Sequence, residues 1–282
     1  MTNSEDMVQS PKLPESPEIK LHDRSLSRTM ITAVFVALLV ITGYTLTHLN
    51  TANVHLNEAV RELMTTLKQM FVQPNAGSDG VVLLLQALGS SLMLSILTTI
   101  IGAVFGFFFA VLASKNLTNA YLGAGIRVVM AVVRAIPTII WALIFSIVCG
   151  LGTTAAILGL SFHSVAYLTK AYSESIEGID KDVIESLKVT GCKFWVIVFQ
   201  AIWPTVMASF VSWTFIRLEI NFANAIAVGA AAGSGGIGYQ LFVASGMSFD
   251  FHETGFIVYL IILVTFMLEF IAVKIRRYYL SR

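Results

Sequence analysis

The sequence predicts an all-α polytopic membrane protein with about six transmembrane helices. Of its 282 residues, 56% are hydrophobic and only 12% are charged, and the mean hydropathy is +0.78. Because soluble domains carry roughly 25% charged residues, this composition excludes an ordinary soluble protein. The apolar residues are also gathered into separate runs of about 20 residues, which is the length that crosses about 30 Å of hydrocarbon.

Six apolar runs satisfy this length criterion. They cover residues 29–49, 84–113, 128–150, 153–172, 202–222 and 252–273. The second run is longer than one crossing requires, which predicts a helix that is tilted or that starts in the outer interface. Pro137 lies inside the third run and predicts a kink there. We place the break between the third and fourth spans at Gly150 and Gly152, since glycine ends helices.

The positive charges of the connecting segments predict the orientation. Most of them fall on one side of the predicted spans: Lys20, Arg24, Arg28, Lys115, Arg127, Lys170, Lys181, Lys188, Lys193, Lys274, Arg276, Arg277 and Arg282. The segments on the other side carry Arg61 and Lys68, which are balanced by carboxylates. The positive-inside rule therefore predicts that both termini and the loop at about 173–200 are cytoplasmic.

The chain divides into three predicted regions. Residues 1–28 are polar and proline-containing and predict a disordered cytoplasmic tail. Residues 29–83 contain the first span and an external segment, 55–73, whose apolar residues recur at helical spacing. This amphipathic helix either lies on the outer membrane surface or packs against the neighbouring spans. Residues 84–282 form the helical core.

No catalytic chemistry is indicated. The sequence contains no G-x-x-x-x-G-K-[ST] loop, no H-E-x-x-H and no C-x-x-C, and its five histidines are scattered. We therefore predict a protein that is not an enzyme and that has no metal or cofactor. The net charge of +1 gives no indication of a nucleic-acid partner.

Polar residues inside the fifth span are the first functional candidates, since charge in hydrocarbon is costly and usually faces a cavity or a partner. Arg217 and Asn221 are four residues apart and share a helix face, whereas Glu219 points largely away from both. We expect Glu219 to meet a group on another span or another subunit. Two interpretations stay open: these residues line a translocation path, or they form an interhelical network.

The glycine-rich stretch 227–241 follows at once, with glycines at 233, 235, 236 and 238. Such a stretch permits tight non-helical backbone, and its N–H groups at Gly235, Gly236 and Gly238 suit an anion. A plain external loop explains the same residues.

Arg134 and His163 are further candidates for the path. For Arg134 the alternative is a side chain that extends to the cytoplasmic interface, and for His163 it is a hydrogen-bonded core histidine. We favour these alternatives.

Residues 185–204 form a semi-polar segment between two apolar runs, which predicts a short helix, a turn and a second helix that re-enters the membrane. Gly191 suits the left-handed end of the first helix, and Pro204 lies near the start of the next. One side of the first helix is apolar, which predicts a docking surface for another protein. This side comprises Ile176, Ile179, Val183, Ile184 and Leu187.

This segment resembles the cytoplasmic loop of bacterial ABC importer permeases, whose pattern is E-A-A, three residues, G, nine residues, I-x-L-P. Glu185, Gly191 and Pro204 match at the same spacing. The remaining positions differ and carry Ser186, Leu187, Ala201 and Trp203. The resemblance implies a coupling helix that inserts into an ATPase subunit.

A narrower resemblance, from about residue 84 to the end, is to the permease subunit of phosphonate and phosphite ABC transporters. It rests on five motifs in order: Arg134-Ala-Ile-Pro137, Leu160-Ser-Phe-His163, Glu174-Ser-Ile-Glu177-Gly-Ile-Asp180, Glu219-Ile-Asn221 and Gly235-Gly-Ile-Gly238. It implies a permease-type fold and a homodimer with two ATPase subunits and an extracytoplasmic binding protein. It further implies that Glu174 and Glu177 belong to the coupling region, that Glu219 and Asn221 lie on or beside the path, and that the glycines form its outer mouth. Where that family usually has Arg, this chain has Ala223.

The predicted function is therefore that of a permease subunit in the bacterial cell membrane. It would import phosphonate or a similar small oxyanion such as phosphite, with ATP hydrolysed on a separate chain. The alternatives are a permease for methionine or a quaternary amine, and a stand-alone ion-coupled transporter that uses Glu219 as its ion site. An intramembrane enzyme has the least support.

Overall fold

The computed structural model describes residues 26–48, 56–77 and 80–280, and these ranges contain helices and short connections but no strand. The all-α prediction is confirmed. Most of the predicted disordered tail, residues 1–25, lies outside the described residues. The chain forms two compact units, Met1–Ala59 and Val60–Arg282.

The described helices, in chain order, are α1 Leu26–His48, α2 Leu56–Val72, α3 Gly80–Ala113, α4 Ala120–Ala135, α5 Thr138–Cys149, α6 Thr153–Glu177, α7 Lys181–Val189, α8 Phe194–Ile197, α9 Trp203–Ala232, α10 Gly236–Phe242 and α11 Phe251–Leu280. Two short π-helical stretches, Val198–Ile202 and Val243–Met247, connect α8 to α9 and extend α10.

Four described helices are long and apolar enough to cross a membrane, and the α4–α5 pair makes a fifth if it is counted as one span. The four are Arg28–His48, Gly80–Ala113, Phe194–Ala232 and Phe251–Arg277. The predicted fourth span corresponds to α6, which has 25 residues but does not reach the same apolarity. Many of its polar side chains are buried inside the bundle, so α6 depends on neighbouring helices rather than on lipid.

The third predicted span is not a single kinked helix. It is two helices, α4 and α5, that meet at 91°. Ile136 takes the extended backbone that a following proline favours, and Pro137 then begins α5. The Trp141 indole N–H donates to the carbonyl of Val133 at 2.9 Å, which supplies one partner that the helix break removes.

Pro204 lies in the first turn of α9, as predicted, but no loop precedes this helix. Helical backbone runs from Phe194 to Ala232, and the π-helical stretch Val198–Ile202 immediately precedes Pro204. A π-helical turn shifts the hydrogen-bond pattern, so the missing N–H of proline is accommodated inside a continuous helix. The α7 loop is therefore joined to α9 without a flexible connection.

The tight non-helical backbone predicted for the glycine-rich stretch is confined to a short turn, and the rest of the stretch is helical. Only residues 233–235 separate α9 from α10, and Gly233, Gly235 and Gly236 have positive φ values of 59°, 78° and 72°. Gly238 lies within α10, and a Cβ there would overlap the carbonyl of Ile226 on α9. These glycines therefore allow α10 to fold back closely onto α9.

The predicted amphipathic helix 55–73 is confirmed as α2. Its last turn packs on α11, where the Tyr259 hydroxyl donates to the Phe71 carbonyl at 2.8 Å. Its apolar residues from Val60 to Leu67 are exposed. The packing interpretation is therefore confirmed for the end of the segment, whereas a position on the outer membrane surface stays a prediction for the rest.

The centre of the second unit is formed by α3, α6 and α9. Gly102 brings α3 so close to α6 that an added Cβ would lie 2.6 Å from the Ser164 Cβ. An aromatic cluster of Phe107, Tyr172, Trp203 and Phe210 fills the space near one end of the three helices. This close packing positions the polar side chains described next.

Candidate functional site

Arg217 occupies the middle of α9 and is only 1% exposed. Its Nε donates to the Ser164 Oγ at 3.0 Å, its Nη2 lies 3.1 Å from the His163 Nδ1, and its Cζ lies 5.0 Å from the centre of the Tyr167 ring. All three partners are on α6. Within the described part of the chain, no carboxylate forms an ion pair with Arg217. The buried cation is thus held by neutral groups and an aromatic face.

Asn221 extends this cluster by one turn of α9 and is fully buried. Its Nδ2 donates to the Thr99 Oγ1 of α3 at 2.8 Å and to the Ser164 Oγ of α6 at 2.9 Å. We call Thr99, His163, Ser164, Arg217 and Asn221 the polar network. It connects α3, α6 and α9. The shared face of Arg217 and Asn221 is the one their spacing predicts.

The polar network is closed in this arrangement, because Arg217 and Asn221 are inaccessible. It can fix the positions of three helices and leave a positive charge between α6 and α9. Arg134 of α4 lies close enough to interact with His163. The network therefore reaches towards a fourth helix.

Glu219 points away from the polar network, as predicted, and its carboxyl is in hydrogen-bonding contact with Glu269 of α11. The Glu269 Oε1 lies 3.7 Å from the Arg276 Nη2, so an arginine offsets part of the paired negative charge. Glu219 thus meets a group on another span of the same chain.

Two backbone groups beside the predicted glycines make hydrogen bonds to other helices, and anion binding by the glycine N–H groups stays a prediction. The N–H of Ile237, between Gly236 and Gly238, donates to the Ser91 Oγ of α3 at 3.0 Å. The Ser234 carbonyl accepts from the Thr153 hydroxyl at 3.1 Å. Gly235, Gly236 and Gly238 therefore serve the packing of α9, α10 and α3 in this arrangement.

We call residues 178–193 the α7 loop. Asp180 caps α7 by accepting from the N–H of Asp182 at 3.1 Å. At the other end Gly191 has a φ of +79°, its N–H donates to Lys188, and the N–H of Cys192 donates to Leu187. This pair of bonds is a Schellman motif, which ends a helix at a glycine. The predicted helix, turn and second helix are confirmed.

Most of the apolar side of the α7 loop does not form an external docking surface, which corrects the sequence interpretation; of its five residues only Val183 is exposed. Ile176 and Ile184 are buried in the core, with Ile179 and Leu187 packed against them. The opposite side of α7 is exposed and carries Glu185 and Val189, the latter 87% exposed. Any partner of this helix therefore meets Glu185 and its neighbours Asp182, Ser186 and Val189.

The other predicted coupling residues have partners within the chain. Glu177 accepts from the backbone N–H of Lys115 at 3.0 Å, and its carboxylate lies 3.6 Å from the Lys115 Nζ and 3.9 Å from the Arg127 Nη1. Glu174 pairs with Lys170 at 3.2 Å. Glu177 thus fixes the α3–α4 connection to the end of α6.

Three partners of the candidate residues, Thr99, Ser164 and Glu269, are not predicted from the sequence. Thr99 and Ser164 carry no signal, since small hydroxyl residues in helices commonly bond their own backbone. Glu269 does carry one, because it is a charged residue inside a predicted span.

Comparisons with known proteins agree with this architecture. The family described as "Binding-protein-dependent transport system inner membrane component" matches residues 102–282. The phosphate-import permease protein PhnE of Mycolicibacterium smegmatis is 29% identical over 199 residues, which cover 70% of this chain and 37% of that protein. The phosphite transport system permease protein PtxC of Stutzerimonas stutzeri is 32% identical over 152 residues, or 54% of this chain and 55% of that protein.

The chain thus spans about a third to about half the length of these two relatives. Among solved structures, the inward-facing MetNI methionine ABC transporter has a TM-score of 0.66 at 20% identity. The match covers 72% of this chain and 99% of that chain. At this identity the likeness concerns the fold.

Proposed function

Since the chain belongs to the family of binding-protein-dependent transport system inner membrane components, we propose that it is the permease subunit of an ATP-driven importer for phosphonate or a similar small oxyanion such as phosphite. Two copies of the chain form the pathway, and separate ATPase subunits on the cytoplasmic side hydrolyse ATP. An extracytoplasmic binding protein delivers the substrate. Both termini and the α7 loop are cytoplasmic.

The observation that carries this proposal is the geometry of the α7 loop. The exposed side of α7 carries Glu185, the Schellman motif at Gly191 fixes the turn, and continuous helix leads from Phe194 into α9. A movement of a docked ATPase is therefore transmitted to Arg217 and Asn221 without a flexible joint. This supports a mechanism in which ATP binding changes the packing of α9 against α6 and α3.

The named relatives support the substrate class, since one is called a phosphate-import and the other a phosphite permease. The buried charge of Arg217, which lacks a carboxylate partner in the described chain, favours an anion over a cation in this region. On this proposal Arg217 and Asn221 form the wall of the path, and Glu219 connects α9 with α11 beside it. Gly235, Gly236 and Gly238 shape the outer mouth.

The test is substrate-stimulated ATP hydrolysis by the chain reconstituted in lipid with its ATPase and binding protein. Phosphonates, phosphite, phosphate and methionine are supplied in turn. We expect stimulation by phosphonate or phosphite and none by methionine. Stimulation by methionine alone would reject the oxyanion assignment, and failure to associate with any ATPase would reject the importer subunit and favour an ion-coupled transporter.

A matched pair of glycine variants tests the α7 loop. Gly191 and Gly150 both have a φ of +79°, and an added Cβ meets nothing within 4 Å at either position. The ψ of 164° at Gly150 lies in a region that is essentially restricted to glycine, so Gly150→Ala is a stringent control for backbone strain. Alanine at a left-handed position costs roughly 1–2 kcal/mol. We expect Gly191→Ala to lower transport-linked ATP hydrolysis and Gly191→Pro to abolish uptake, with membrane insertion intact, whereas Gly150→Ala retains both activities. Equal losses in Gly191→Ala and Gly150→Ala would contradict a coupling role.

A further inference from the structure

A polar cavity lies between α4 and the C-terminal half of α6. Its volume is about 260 Å³. It is lined by the polar residues Lys115, Arg127, Arg134, Thr169, Lys170, Ser173, Glu174 and Glu177. Ligand pockets for drug-sized molecules begin at about 300 Å³, so this space suits a small ion with some water.

The charges around the cavity do not balance. Four lining side chains are cationic and two are carboxylates, which leaves a net charge of +2. Lys170 is paired with Glu174, and Lys115 and Arg127 share Glu177. Arg134 is half-buried, and its Nε donates to the Met130 carbonyl of its own helix at 3.3 Å. Among the described residues it has no carboxylate partner.

Neutral donors complete the lining. Ser173 donates to the Lys170 carbonyl, whereas the buried Thr169 hydroxyl has no hydrogen-bond partner. A half-buried guanidinium without a counter-charge, next to a hydroxyl without a partner, is costly unless a ligand or water satisfies both. Guanidinium groups bind tetrahedral oxyanions through paired N–H donors.

We propose that this cavity binds a phosphate-type oxyanion, with Arg134 as its main ligand and Arg127 and Lys170 as supporting charges. It is a second anion site, which adjoins the polar network where Arg134 lies near His163. The proposal does not depend on the transport function, since binding is measured on the chain alone.

Because of the position of the cavity, a bound anion would affect the α7 loop. Glu177 lines the cavity and ends α6, and Asn116, in the same connection as Lys115, accepts from the Lys188 Nζ of α7 at 3.2 Å. An anion that attracts Lys115 and Arg127 competes with Glu177 for them. Occupancy would thereby change how the α7 loop is held.

The experiment measures binding of inorganic phosphate and methylphosphonate to the full chain in nanodiscs of purely zwitterionic lipid. We expect saturable binding that Arg134→Gln weakens at least about tenfold, in line with a charge-assisted hydrogen bond. Lys170→Gln should weaken it about threefold and Glu174→Gln should strengthen it about threefold, as exposed charges do. The control is Arg277→Gln, which removes an exposed arginine outside the cavity.

The opposite signs for Lys170→Gln and Glu174→Gln separate binding from folding damage, since the two side chains form one ion pair. A second series replaces the free anion with nanodiscs that contain phosphatidic acid. If lipid binding alone follows the same order of variants, the occupant is a lipid phosphate group and the site stands. If neither free anion nor lipid binds, or if the control behaves like Arg134→Gln, the proposal is wrong.

Discussion

Arg217 makes contacts in three directions that a single ammonium group cannot reproduce. Its Nε donates to the Ser164 Oγ, its Nη2 lies at hydrogen-bonding distance from the His163 Nδ1, and its Cζ lies over the Tyr167 ring. We expect Arg217→Lys to lower the free energy of unfolding by about 1–3 kcal/mol, because at least one buried partner is left unsatisfied. Thermal unfolding in detergent would measure this, and Arg277→Lys on the exposed side of α11 is the control. Equal melting temperatures for wild type and Arg217→Lys would contradict the geometry.

Two variants of Glu219 test whether its carboxyl has a structural role or binds an ion. An amide at this position still donates to Glu269, so we expect Glu219→Gln to keep uptake within about twofold of wild type. Glu219→Leu removes the contact between α9 and α11 and should reduce uptake and thermal stability together. Uptake into proteoliposomes with the complete transporter is the measurement. If Glu219→Gln is as inactive as Glu219→Leu, the negative charge itself is required, which would favour ion-coupled transport.

Among the elements, α10 depends on the absence of one side chain. A Cβ at Gly238 would overlap the Ile226 carbonyl, whereas a Cβ at Gly125 on α4 meets nothing within 4 Å. We expect Gly238→Ala to displace α10 from α9 and lower the melting temperature. Gly125→Ala should be neutral or stabilising by about 0.5–1 kcal/mol, since alanine favours helix. A Gly238→Ala protein as stable as wild type would show that α10 packs less closely than described.

The elements also show where sequence patterns succeed and where they stop. Apolar runs predict α3 and α11 well because hydrocarbon length is a simple constraint. Pro137 and Pro204 differ in outcome, a 91° break in one case and a continuous helix in the other. The difference arises from backbone adjustment, an extended Ile136 or a π-helical turn, which local sequence does not specify. The spacing of apolar residues likewise identifies an apolar side of α7, but most of that side packs on the protein's own core and not on another protein.

At the site, spacing along α9 predicts that Arg217 and Asn221 share a face and that Glu219 lies opposite. It does not predict their partners. Ser164 and Thr99 become hydrogen-bond partners of Arg217 and Asn221 because Gly102 allows α3 to approach α6 closely. This is a tertiary contact between residues distant in sequence. Glu269 could have been found, since a charged residue within an apolar run indicates a specific partner.

At the scale of the whole molecule, the proposed function makes Ala223 the position where we expect a substitution to change substrate preference. It is exposed, so a longer side chain fits without repacking, and it lies one turn from Glu219 on the same side of α9. An arginine there is held by the Glu219 carboxyl while adding a positive charge to that face. On the proposal that α9 borders an oxyanion path, we expect Ala223→Arg to lower the half-maximal concentration of doubly charged phosphonate about threefold in the ATP hydrolysis assay. Ala223→Gln, of similar length but neutral, should leave it unchanged. A shift of the same size with glutamine, or no shift for any oxyanion, would place Ala223 and its side of α9 away from the path.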